Sequence, residues 1–251
     1  MAFARCRRHL APLLTAVLFG SAPVWAQGDP PLSSPAPPAR SLPANVSGSA
    51  SPTLSEAEER PTASGNTAAG NVCRADLDRM GAVYENPDAI KSTEDPGCGI
   101  PAPVRLLSPV QGITLPGEPT LDCEAALGFT LWVRRHLVPV ADALGRGALT
   151  RIDTGPGYAC RRRNNAATGK LSEHATGNAI DVTGFGFADG STLSVAPRED
   201  DHTKAHAFQR TARASACLHF TTVLGPGTNA AHADHLHLDT AKRRGGYRIC
   251  Q

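Results

Sequence analysis

Residues 232–239 read HADHLHLD, with three histidines and two aspartates in eight positions. As a strand, HLHLD alternates strictly, so His235, His237 and Asp239 share one face while Leu236 and Leu238 take the other. A helix would scatter the same side chains around its circumference. A second stretch, SEHATGNAID at 172–181, sets His174 and Asp181 seven residues apart with Gly177 between them. On one unbroken strand an odd separation points two side chains to opposite faces, so a turn must intervene, and Gly177 is free to take the positive φ of such a turn. Combined, the two stretches supply two imidazoles and a carboxylate from separate segments. That is the donor set of a catalytic zinc site, which keeps one position open for water. Water on such a zinc is acidified to a pKa of about 7, which supplies hydroxide at neutral pH.

These groups need elements to hold them. Ala126, Phe129, Val133, Leu137, Val140 and Leu144 recur at three- and four-residue steps between Thr120 and Leu144, the stripe of an amphipathic helix. Pro139 should kink or restart that helix. A second helix is predicted from Thr203 to about Cys217, with Phe208, Thr211, Ala212, Ser215 and Ala216 on one side and the acidic run EDD as its start. The glycine-punctuated runs ALTRID and AIDVTGF read as strands, and the expectation is a mixed α+β domain. His202 and His206 are spaced i, i+4 as two ligands on one helical face would be, but HTKAH lacks the glutamate of HExxH. His136 and His219 stand alone in the sequence and read as ordinary surface or core histidines.

The first 26 residues put arginines ahead of an apolar run from Leu10 to Gly20 and end on small residues, the pattern of a cleaved secretory signal. Residues 27–70 are almost all Pro, Ala, Ser, Gly and Thr with no aromatic residue, too poor in apolar surface to offset the entropy of ordering them. They are expected to be a disordered spacer. Residues 71–251, roughly 180 in number, suffice for one domain with a core. Net charge is +2 and the basic clusters at 161–163 and 242–244 are short, so no global field points to nucleic acid. Cys6 leaves with the signal; Cys73, Cys98, Cys123, Cys160, Cys217 and Cys250 remain, without a CxxC pair. Three disulfides in an exported protein, periplasmic or extracellular, are the expectation, and the pairing stays open.

SEHATGNAID and DHLH resemble the SxHxxGxAxD and DHxH signatures of the zinc D-alanyl-D-alanine carboxypeptidases and their lysostaphin-type relatives, which cut peptide stems in peptidoglycan. Together with YACRRRN, CLHFTTVLGP and the cysteine near the end, the pattern is similar to the extensin-like C-terminal domain family, which shares those motifs. The resemblance covers most of 73–251. It implies a small antiparallel sheet carrying the zinc site, flanked by helices and stapled by disulfides. It also implies that His174, Asp181 and His237 bind zinc and that Asp234 is the general base for the attacking water. His235 would stabilise the developing oxyanion or support the ligands from behind. Strand parity puts Asp234 on the leucine face, so it must precede the regular strand to act there; His232 could carry the proton instead. Arg161, after the Gly-Tyr turn, would clamp a substrate's terminal carboxylate, a role open to Arg162 and Arg163 as well. The expected activity is an exported zinc-dependent hydrolase of peptidoglycan peptides. A non-catalytic cell-envelope module with the same fold is the alternative. Neither reading calls for nucleic acid or for a membrane span after signal cleavage.

Overall fold

The computed structural model describes residues 68–198 and 202–251. The expected signal, all but the end of the spacer and the EDD run lie outside the described residues. Helix α1 (Ala68–Arg79) opens three residues before the domain start expected from composition. Its Leu77 is fully buried. Five short strands follow: β1 (Val83–Glu85), β2 (Ile90–Lys91), β3 (Gly99–Ile100), β4 (Val104–Ser108) and β5 (Thr120–Leu121). They pair antiparallel as β1-β4-β5 and β2-β3.

Helix α2 (Cys123–Trp132) starts where Asp122, in extended backbone, accepts a hydrogen bond from the Glu124 amide. This satisfies one of the orphan donors of the first turn. The helix then widens into a π-helical turn, Val133–Leu137, and resumes as α3 (Val138–Asp142). Pro139 is the physical cause: it has no N–H to give and its ring would clash with the carbonyl four residues back. The wide turn, in which the Val138 amide reaches Val133 O, restarts the helix with proline in its first turn. Ala126, Phe129, Val133 and Leu137 are buried as the stripe predicts, and Val140 and Leu144 pack at the core's edge. Trp132 is also fully buried, its indole N–H shared between Ala212 O and Ser215 Oγ, each at 3.1 Å.

The larger sheet is built from β6 (Leu149–Thr154), β7 (Ala179–Phe187), β8 (Thr192–Ser194), β9 (Thr222–Leu224), β10 (Leu236–Asp239) and β11 (Ile249–Cys250). Its order is β11-β9-β10-β7-β6, with β8 also on β7. Every pairing is antiparallel except β11 with β9. Within β7, Thr183 is an extra residue, since Thr154 faces Val182 while Asp153 faces Gly184. That bulge shifts the parity, so Ile180 and Val182 before it and Phe185 and Phe187 after it all join one core. Helix α4 (Lys204–Ala216), capped by Thr203, packs Phe208, Ala212 and Ala216 against the sheet; Thr211, expected on that side, is exposed and bonds back to Ala207 O. Disulfides join Cys73 to Cys123, Cys98 to Cys160 and Cys217 to Cys250. The fold is therefore mixed α+β, with small, mainly antiparallel sheets and three disulfides.

Candidate metal centre

His174 sits in a 3₁₀ turn, Glu173–Thr176, capped by Ser172 and ended by Gly177 at φ +71°. A β-carbon on Gly177 would lie 2.4 Å from Ile100 Cδ1 and 2.7 Å from the Asp122 amide, so both the handedness and the space require glycine. The turn delivers the His174 ring, 3% exposed, beside Asp181 on β7. Asp181 lies directly opposite His237 of β10 in the antiparallel ladder, so cross-strand pairing brings the two side chains together. His174 Nε2 is 3.3 Å from His237 Nδ1 and 3.2 Å from Asp181 Oδ2, and His237 Nδ1 is 2.9 Å from Asp181 Oδ1.

The far side of each ring is committed. His174 Nδ1 donates to Gly157 O at 2.6 Å, and His237 Nε2 to Asp239 Oδ2 at 3.1 Å. Asp239 is 5% exposed and accepts also from Thr222 Oγ1 and the Ala241 amide, while Arg243 bonds Thr222 Oγ1 and Thr221 O. This fixes both tautomers and leaves His174 Nε2, His237 Nδ1 and an Asp181 oxygen, three electron-pair donors, within 4.8 Å of one another. Three acceptors facing one point need a cation between them, a proton or a metal ion, and imidazole with carboxylate suits zinc. Among the described residues no other group of three His, Cys, Asp or Glu side chains converges in this way.

Without metal the electrostatics report the same demand. Burial would raise the Asp181 carboxyl, but its close contacts with the His174 and His237 imidazoles outweigh it and hold the group well below the usual carboxylate range. Burial likewise opposes charging of His237, yet the Asp181 and Asp239 carboxylates on either side raise it to about 9. Asp239 is itself held low against its burial by His237 and Thr222.

An open cleft of about 610 Å³ gives access to the site. His235 and Asp234 both precede β10, which begins at Leu236. The Asp234 carboxylate, 89% exposed, lies outside the triad and accepts from His235 Nδ1 at 2.9 Å; His235 Nε2 points inward, 3.8 Å from Asp181 Oδ1. The ring of His232 faces His235 and His237 across the cleft at 5.2 and 5.8 Å, its pKa lowered by burial and by those two neighbours.

The three consecutive arginines separate. Arg162 pairs with Asp95 at 2.9 Å and Arg163 with Glu173 at 3.2 Å. Arg161 lines the cleft, and among the described residues no side chain or carbonyl takes its guanidinium. The exposed His202 precedes the cap of α4 and so shares no helical face with His206. His136 and His219 are not solitary: their Nε2 atoms lie 3.0 Å apart, and burial together with His136 pushes His219 down to about 4.

The family described as Extensin-like protein C-terminus matches residues 71–251. The chain belongs to that family. Neither the curated proteins nor the solved structures offer a match. Two contributors to the candidate metal centre of this extensin-like domain carry no sequence signal of their own, the Gly157 carbonyl and Arg243. Asp239 had one, its i, i+2 spacing from His237, which places it on the same strand face.

Proposed function

We propose that the domain is a zinc-dependent hydrolase of peptide amides in peptidoglycan, as its motif resemblance to the zinc D-alanyl-D-alanine carboxypeptidases and lysostaphin-type peptidases implies. One observation carries the reading: Gly157 O and Asp239 take the outer N–H of His174 and His237, so the inner nitrogens and Asp181 are left as a three-donor set beside an open cleft. His174, Asp181 and His237 would hold the metal. Zinc there would supply an acidified water and polarise the scissile carbonyl.

Asp234 and His235 form the proton-handling pair. Asp234 accepts the Nδ1 proton of His235, which leaves Nε2 as the base facing the site. In this reading His235 takes the proton from the water and Asp234 orients the ring, a reversal of the roles expected from the motif. Arg161 would bind a substrate carboxylate through two parallel hydrogen bonds. The oxidising conditions that three disulfides require fit a periplasmic or extracellular site of action.

Elemental mass spectrometry should find about one zinc per wild-type chain and none in His237→Ala or Asp181→Ala that remain folded, with muropeptide cleavage lost in step. A folded wild type that takes up no metal when zinc is supplied would overturn the proposal. The exposure of Asp234 favours one other reading, a cell-envelope binding module that does not hydrolyse. That module would pull down peptidoglycan after chelation and release no peptide from it.

A further inference from the structure

The floor of the cleft continues past the triad. Across β10 and β9, Leu224 lies opposite His237 and Thr222 opposite Asp239, and Ile249 of β11 lies beside Thr222. Residues in register share a face, so these side chains extend the surface that carries His237. All three line the cleft, with Thr228 and Asn229 at its rim. Neighbouring strands are about 4.8 Å apart, so the floor runs about 10 Å beyond β10, the length of about three extended residues.

The chemistry of this shelf differs from that of the opposite wall. Leu224 and Ile249 are half-buried and offer apolar surface to the cleft. Asn229 Oδ1 is already taken by the Ala231 amide and His232 Nδ1, which turns the Asn229 amide hydrogens outward as donors. Thr228 Oγ1 accepts from the Gly225 amide and keeps its own hydrogen to give. The cation of the shelf, Arg243, is committed to Thr221 O and Thr222 Oγ1. Arg161 lies on the other side of the triad, where its carbonyl is bonded to the Ser172 amide ahead of the His174 turn.

We propose that the β9–β11 shelf is a subsite for an extended peptide segment of about three residues with small, uncharged side chains, on the far side of the scissile amide from Arg161. Leu224 and Ile249 receive the side chains; Thr228 and Asn229 donate to backbone carbonyls. The site therefore takes oligopeptides in preference to free dipeptides. The cleavage part of the inference rests on the hydrolase reading, and the binding part does not.

Alanine oligopeptides of two to five residues, in L and D forms, are titrated calorimetrically into the full metal-free chain, and the zinc-loaded chain is assayed for their cleavage. Affinity should rise by about tenfold or more from the shortest peptide and level off once three residues fill the shelf, since each added methyl is buried. Leu224→Ala and Ile249→Ala, each checked by its thermal unfolding, should abolish that gain. Affinity independent of length, or a gain that survives both substitutions, overturns the subsite. Length-dependent binding that the variants abolish, with no peptide cleaved, supports the subsite and overturns the hydrolase reading instead.

Discussion

His237 lies between two carboxylates, and without metal this placement stores a proton. Its pKa of about 9 is above its ordinary value near 6.5. The stabilisation from that proton is thus complete below about pH 6.5 and lost as pH rises through about 9. The melting temperature of the metal-free protein should fall across that window. Zinc bound as proposed would displace the same proton, so calorimetry in buffers of different ionisation heat should show about one proton released per zinc at pH 7.5, fading above pH 9. Behind His237 stands Asp239, held by Thr222, whose hydroxyl oxygen in turn accepts from Arg243. Thr222→Val removes that donor, and zinc affinity measured by chelator competition should fall about 10- to 100-fold. At this scale the convergence of His174, Asp181 and His237 was legible, because they sit in two motifs whose spacing limits where they can point. The pairing that sets Arg162 apart from Arg161 was not, because it depends on Asp95, 67 residues from Arg162 in sequence. The His136–His219 pair spans 83 residues and was hidden for the same reason.

Among the elements, the turn at 172–177 does the positioning. Gly177→Ala would put a methyl against Ile100 and the Asp122 amide in a backbone region that disfavours it. A loss of about 1–3 kcal/mol in chemical denaturation is expected, with weakened zinc binding because His174 moves with the turn. Helices α2, α3 and α4 and the strands β6 and β7 were readable from periodicity and from their glycine boundaries, and Pro139 announced its own interruption, whereas the 12-residue α1 was not expected. The strands β1 to β5 are two to five residues long, too short to display a period. The bulge at Thr183 is invisible in sequence, because it exists only relative to β6.

At the scale of the whole molecule, no helix among the described residues is long and apolar enough to cross a membrane, and three disulfides bind segments 50, 62 and 33 residues apart. Six cysteines without a CxxC announced those bonds; their partners are set by the fold alone. After Cys6 the next four cysteines in chain order are Cys73, Cys98, Cys123 and Cys160, and of these the first bonds to the third while the second bonds to the fourth. A chain delivered amino end first into an oxidant thus presents Cys73 and Cys98 before either native partner has emerged. Were they oxidised as they appear, these thiols would couple to each other and need to be shuffled by thiolate exchange. Peptide mapping of the reduced protein reoxidised without a thiol catalyst should find Cys73–Cys98 early, and a disulfide isomerase should clear it. Cys160 lies three residues after Gly157, whose carbonyl orients His174, so the proposed zinc uptake should appear late in maturation, after the crossed pair is sorted.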